Sequence, residues 1–305
     1  MSATLPLPAA TLSPMARGML YGFAAVLIWG GYLAMARAGV VGGITAGDFT
    51  LIRYGTAGLV MLPWWLRHQP LTMAGMGWGR ALALTLTAGP LFILLGVGGY
   101  AFAPLVHGAV AQPAAVVVFT TLLAALVLQE RPGRTRLVGL GIVLLGIGVI
   151  AGPGLFSGTA MTPLGDAMFL GAGLLWASFT ILARRWGIKA IPATAAVSVL
   201  SALVVVPVTA ATTGFSHLLA LPPAVLLPQI LVQGALSGVV AVICFTRAAE
   251  QLGAARAALF PALVPASAIL LGIPLAGEWP GGVQLLGLGL VSLGLLVAMG
   301  LLRRG

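Results

Sequence analysis

Residues 29–37 read WGGYLAMAR and residues 176–184 read WASFTILAR, with Trp and Arg eight positions apart in both and an offset of 147 between them. Two further echoes keep the same order. Pro113 precedes Glu130 by 17 residues and Pro261 precedes Glu278 by 17, and each Glu is followed by one residue and then Pro132 or Pro280. GLGIVLLG from Gly139 matches GLGLVSLG from Gly287 at an offset of 148. The segments around the two prolines, QPAAVVVF from Gln112 and FPALVPAS from Phe260, agree only loosely. In so apolar a chain one such match means little; three in register mean that the second half is a copy of the first.

What is copied follows from composition. Of 305 residues, 60% are hydrophobic and 7% charged, with a mean hydropathy of +1.12. A soluble domain needs about 25% charged residues to cover its surface, so the solvent for most of this chain is lipid. A helix crosses the hydrocarbon core with about 20 apolar residues. The runs between polar breaks predict ten transmembrane helices, at 17–37, 47–66, 79–100, 106–128, 134–152, 163–184, 192–213, 226–247, 254–275 and 282–302. The predicted architecture is thus an all-α integral membrane fold, with one five-helix repeat over 17–152 and another over 163–302. Five is odd, so the second copy enters the membrane from the other side, and inverted repeats place a binding site near the midplane between them. Residues 1–16, rich in Pro, Ala, Ser and Thr, are expected to form a disordered cytoplasmic tail.

The net charge of +10 is not that of a nucleic-acid binder, because the basic residues sit in short gaps between apolar runs. Thirteen of the 15 Lys and Arg fall on the side holding both termini; only Arg37 and Arg53 do not. This excess puts both termini in the cytoplasm. Cys244 is alone, so no intrachain disulfide is available.

With ten spans, a five-plus-five repeat, a mid-helix Trp in the first span and E-x-P after spans four and nine, the chain resembles the drug/metabolite transporter superfamily. Within it the EamA-type exporters, and among those the YddG-like amino-acid exporters, are most similar. The resemblance implies export of amino acids or small metabolites across a bacterial inner membrane, and a central cavity lined by spans 1, 3, 4, 6, 8 and 9.

Candidate site residues come from depth and chemistry. Trp29 and Trp176, the repeat-related pair, lie 15–18 Å along their helices at about 1.5 Å per residue. They either pack the halves together or wall a cavity, where a Trp face would hold an apolar group or a cation. Trp64, Trp65, Trp78, Trp186 and Trp279 sit at span ends, as an interfacial belt. Pro113 and Pro261 each leave a helix carbonyl, of Ala109 or Ala257, without its usual donor, as a kink or as an acceptor for a substrate ammonium. Gln112 and Phe260 precede them and are expected to share their fate. His107 and Tyr100 at neighbouring span ends, and Tyr32 one turn from Trp29, are further candidates, as are Ser178 and Ser237 as polar liners. The glycines of spans five and ten read as helix-contact ridges.

Other functions find no support. There is no P-loop, dinucleotide fingerprint, HExxH or paired intramembrane carboxylate, so no cofactor, metal or catalytic residue is assigned. Asp48, Asp166, Glu130, Glu250 and Glu278 map to span ends, Asp48 in reach of Arg53. Coupling to protons or cations, which commonly uses a carboxylate within a span, is expected to be weak or absent. Phosphate cargo would need basic partners in the bilayer, of which the sequence offers only Arg53. The expected partners are a small solute, an amino acid or else a hydrophobic cation, and the lipid bilayer. No protein partner is evident.

Overall fold

The computed structural model describes residues 13–157, 161–252, 257 and 260–298. The predicted tail up to residue 12, and Arg256, Arg303 and Arg304 of the charge count, lie outside the described residues. Everything regular in the described residues is helical. Six helical stretches are long and apolar enough to cross a membrane: Pro14–Val41, Trp78–Ala101, Leu105–Val127, Thr162–Arg185, Ala190–Thr212 and Pro223–Leu252. Shorter apolar helices cover Pro261–Ala276 and Gly282–Ala298. With Ala46–Arg67 and Arg134–Ser157, helical structure falls on every predicted span.

In chain order the helices are α1 Pro14–Val41, α2 Ala46–Arg67, α3 Trp78–Ala88, α4 Pro90–Gly98, α5 Leu105–Val127, α6 Arg134–Ser157 and α7 Thr162–Arg185. They continue as α8 Ala190–Thr212, α9 Ser216–Ala220, α10 Pro223–Gln229, α11 Ala241–Leu252, α12 Val264–Ala276 and α13 Gly282–Ala298. Local chemistry sets several boundaries. Ser13 caps α1, its Oγ accepting from the Ala16 amide at 3.2 Å, so the helix starts inside the predicted tail. Thr45 and Asp48 form a capping box at the start of α2, which satisfies two amides that a helix start leaves orphaned. Asp48 also meets His217 Nδ1 at 2.8 Å. The expected Asp48–Arg53 pairing is therefore wrong: the carboxylate serves its own helix end and a histidine.

The third predicted span is two helices, because Pro90 has no amide to continue the ladder and the chain bends at Gly89. Its counterpart in the second half is also irregular, with a π-helical run over Ile230–Val240 between α10 and α11. The ninth span departs as well: a 3₁₀ turn at Pro261–Leu263 precedes α12. The Ala257 carbonyl, expected to be freed by Pro261, accepts from the Phe260 amide at 3.1 Å.

The halves interleave. α1 packs along α12 and α11, α7 along α5 and α4, α2 along α8, and α6 along α13. Each repeat's first helix thus lies on the other repeat's third and fourth. The last pair crosses on glycines. A Cβ on Gly294 would stand 2.6 Å from the Val143 amide nitrogen, and one on Gly146 2.8 Å from that of Val291. Gly139 and Gly287 are equally crowded, whereas Gly141, Gly148 and Gly289 face open space. The contact ridge is a seven-residue repeat on one face, and not every glycine of the two spans belongs to it.

Two ion pairs fix helix direction. Arg37, near the C-terminal end of α1, bonds Glu278 and the Tyr100 carbonyl, and Glu278 accepts from the amide of Leu105, the first residue of α5, at 2.7 Å. Arg184, near the C-terminal end of α7, bonds Glu130, just beyond the other end of α5. The C-terminal ends of α1 and α7 therefore lie at opposite ends of α5, and the two helices run in opposite directions. We refer to these as the Glu278 end and the Glu130 end of the bundle. Leu59, Leu126, Leu145, Leu203 and Leu270 stand out among many exposed aliphatic side chains on the exterior, a surface suited to lipid rather than water.

Candidate functional site

A cavity of about 850 Å³ lies inside the bundle. Trp29, Tyr32, Gln112, Pro113, Trp176 and Pro261 line it, so the fold brings together six of the nine predicted residues. All six helices expected from the family resemblance contribute, joined by Arg53 of α2, Arg136 of α6 and Leu295 and Ala298 of α13. The lining runs to Arg136 in the first turn of α6 and to Ala298, which closes α13. The cavity thus extends toward the Glu130 end. At the other end, eight residues or about 12 Å beyond Trp29 along α1, Arg37, Glu278, Tyr100 and Leu105 form a polar plug. Tyr100 and Leu105 are buried there.

Both tryptophans are cavity walls. Trp29 meets Phe245 with ring centroids 5.6 Å apart, and Trp176 meets Phe92 at 5.1 Å. Each ring thus pairs with a phenylalanine from the third span of the opposite repeat, and both phenylalanines line the cavity. The symmetry is invisible to the sequence repeat, since Phe92 and Phe245 are 153 positions apart instead of 147 or 148. Such rings offer apolar faces with a negative quadrupole.

The remaining three candidates lie elsewhere. Tyr100 is fully buried against Phe169, ring centroids 4.9 Å apart. His107 is buried away from the cavity lining, and its Nδ1 meets Asp166 Oδ1 at 2.8 Å, between α5 and α7 at the Glu278 end. Phe260 packs edge-on against Phe23 at 5.4 Å. It does not share the position of Gln112, because the ninth span turns as 3₁₀ where α5 runs unbroken through Pro113. Ser178 binds its own helix at Leu174 O, while Ser237 does reach the cavity. Trp65, expected in an interfacial belt, is buried, whereas Trp78 and Trp279 are exposed as expected.

The residue the sequence undervalued is Arg53. Its Nη1 donates to Ser237 Oγ at 2.8 Å and to the Gln233 carbonyl at 3.3 Å, and its guanidinium lies 5.2 Å from the Tyr32 ring centroid. The π-helical run supplies both oxygens; such wide turns often sit at functional sites. Gln233 in turn donates to the Tyr32 carbonyl at 3.3 Å, and Gln229 to Met35 O at 2.9 Å, so a polar seam ties this run to α1. Arg136, the second cation, donates through Nε to Thr121 Oγ1 at 2.9 Å. Two of the lining residues carry a buried side-chain oxygen without a hydrogen-bond partner, Gln112 Oε1 and Thr120 Oγ1. The arrangement is an apolar, aromatic chamber with a few convergent polar groups, the usual make-up of a small-molecule site. No group of three or more His, Cys, Asp or Glu able to hold a metal occurs among the described residues.

Comparison with known proteins bears on what this chamber serves. The sequence model of one family, described as the EamA-like transporter family, matches twice, at residues 16–152 and 163–300. No curated protein matches the chain. Eight solved chains do; one, described only as the crystal structure of a protein, is 20% identical with a TM-score of 0.59, over 95% of this chain and 100% of its own. That likeness concerns the fold alone.

Proposed function

The chain belongs to the EamA-like transporter family, which makes it a membrane transporter of small molecules, and we propose that it exports amino acids, aromatic and hydrophobic ones among them, or similar small metabolites. Export runs across a bacterial inner membrane with both termini in the cytoplasm, by alternating access between two inverted five-helix repeats spanning the bilayer ten times. The observation that carries the reading is the cavity's Trp29–Phe245 and Trp176–Phe92 pairs beside the unpartnered Gln112 Oε1. The rings would hold an apolar side chain, and the amide oxygen would accept from an ammonium group. The opposed directions of α1 and α7 support the inversion, and the charge bias of the sequence supports the orientation.

A cavity that reaches the Glu130 end, the cytoplasmic one in this orientation, is poised to load from inside. Transport is uncoupled in this reading, because all five side-chain carboxylates lie outside the cavity: Asp48, Glu130, Asp166, Glu250 and Glu278 bond His217, Arg184, His107, Arg247 and Arg37. The same accounting disfavours hydrophobic cations, for which the chamber holds no counter-charge. An enzymatic role has no nucleophile–base pair in the chamber to rest on.

Counterflow of a labelled amino-acid panel into liposomes carrying the purified protein tests the proposal. Aromatic and aliphatic amino acids should exchange without an imposed proton gradient, and Trp29→Ala or Trp176→Ala should slow exchange by about tenfold, as loss of a packed aromatic anchor does elsewhere. Obligatory proton flux, or no exchange by folded protein, would defeat it.

A further inference from the structure

Arg53 is an intramembrane cation whose charge no side chain among the described residues neutralises. A charged side chain within a membrane span is costly and normally pairs with an opposite charge. Here every Asp and Glu side chain of the sequence is accounted for at the ends of the bundle. Among the described residues Arg53 has only neutral partners: the oxygens of Ser237 and Gln233, the Tyr54 hydroxyl and the Tyr32 ring. Arg136, nearer the Glu130 end of the same cavity, is held by Thr121 and likewise lacks a carboxylate. Two guanidiniums and no side-chain carboxylate therefore face one low-dielectric chamber, where the interaction of a charge with its partner is far stronger than in water.

We propose that the cavity recognises its cargo through an anionic group, a carboxylate bound by the guanidinium of Arg53, with Arg136 drawing anions in at the mouth. Resting on the transporter reading, this narrows the substrate class. The essential features are a carboxylate and an apolar body, and the ammonium group of an amino acid is dispensable. The geometry favours this over a cation site. Ser237 and Gln233 occupy Nη1 and the Tyr54 hydroxyl also bonds the guanidinium, which fixes the planar fork and leaves the remaining N–H groups to a carboxylate. A guanidinium suits a planar carboxylate for the same reason. Scarcity of intramembrane charge in the sequence argued against phosphate cargo and for a neutral, zwitterionic or weakly cationic solute, but the fold concentrates that scarce charge where the cargo would sit.

Three probes of one size separate the possibilities: 3-phenylpropanoate, phenylalanine and phenethylamine, titrated calorimetrically into the purified protein in detergent. The first two should bind with affinities within about tenfold of each other, and the amine at least tenfold more weakly, a difference of ~1.4 kcal/mol. Arg53→Gln should weaken both carboxylates by tenfold or more, while Arg53→Lys, which keeps the charge but loses the fork, should retain part of the affinity. The lysine variant also covers the case in which the glutamine variant fails to fold. Phenethylamine binding as well as 3-phenylpropanoate, or carboxylate binding indifferent to Arg53, would overturn the inference. Phenylalanine bound independently of Arg53 would leave amino-acid transport standing without this site. Binding of 3-phenylpropanoate alone, sensitive to Arg53, would keep the site and sink the amino-acid assignment. No binding of any probe to folded wild-type protein would overturn both.

Discussion

The two ion pairs that the repeat predicts to be equivalent are built differently. Arg37 and Arg184 end the repeated W-x7-R segments, and Glu278 and Glu130 open the repeated E-x-P segments. Each arginine reaches the glutamate of the other half, so both pairs clamp helices from different repeats. At the Glu278 end the clamp is sheltered, with side-chain exposures of 18% and 26%, and it is tied into the backbone: Arg37 donates to the Tyr100 carbonyl and Glu278 accepts from the Leu105 amide. At the Glu130 end the exposures are 57% and 43%, and the two side chains bond each other. The cavity reaches the second end and stops short of the first. The same chemistry thus acts as a plug where the bundle is closed and as a solvated bridge where it is open. In an inverted-repeat transporter the roles would exchange in the opposite state.

The largest expected effect concerns access. In a Cys244→Ser background, Thr120→Cys and Val242→Cys, which line the cavity, should react with a polar maleimide at least ten times faster than Ala103→Cys, which is buried near the plug. Equal rates would erase the distinction between the ends. Next comes the sheltered clamp. Glu278→Gln leaves Arg37 without its counter-ion and weakens the hold on the Leu105 amide, and losing one partner of a buried pair costs about 3–5 kcal/mol. Partial exposure here reduces that to roughly 2 kcal/mol, visible as a lowered thermal unfolding midpoint in detergent. Charge exchange then sharpens the contrast. Arg184→Glu with Glu130→Arg should unfold at the wild-type temperature, whereas Arg37→Glu with Glu278→Arg should remain destabilised. The Tyr100 carbonyl cannot donate to a glutamate, nor can the Leu105 amide accept from an arginine. Full recovery by both exchanges would mean that the backbone ties contribute nothing. The smallest effect is that of Glu130→Gln, within about 0.5 kcal/mol of wild type, as for exposed pairs generally.

Much of the candidate site was legible because depth and repetition are linear properties. Trp29, Trp176, Pro113 and Pro261 could be found by counting along a helix and along the repeat, and all four line the cavity. Arg53 was visible as an intramembrane cation, but its partners lie 180 and 184 positions away, and no local pattern announces them. It was assigned to Asp48 because that carboxylate is near in sequence, whereas Asp48 is spent on a helix cap. Phe260 and His107 failed for the opposite reason: each was placed by analogy or by span position, and packing turned them away from the chamber.

Composition and periodicity by themselves determined the environment, the approximate helix positions and the duplication. Apolar length against bilayer thickness, and an offset repeated three times, need no third dimension. Only the tertiary structure decided which faces meet. It chose Gly139, Gly146, Gly287 and Gly294 over Gly141, Gly148 and Gly289 for the α6–α13 crossing. It also opened the third and eighth spans so that Phe92 and Phe245 could face the tryptophans, and it left Arg53 without a carboxylate. The physical reason is that lipid imposes almost the same apolar requirement on every outward face. Sequence pattern therefore says that a residue lies in the membrane, while close packing and the pairing of a few charges say where it points.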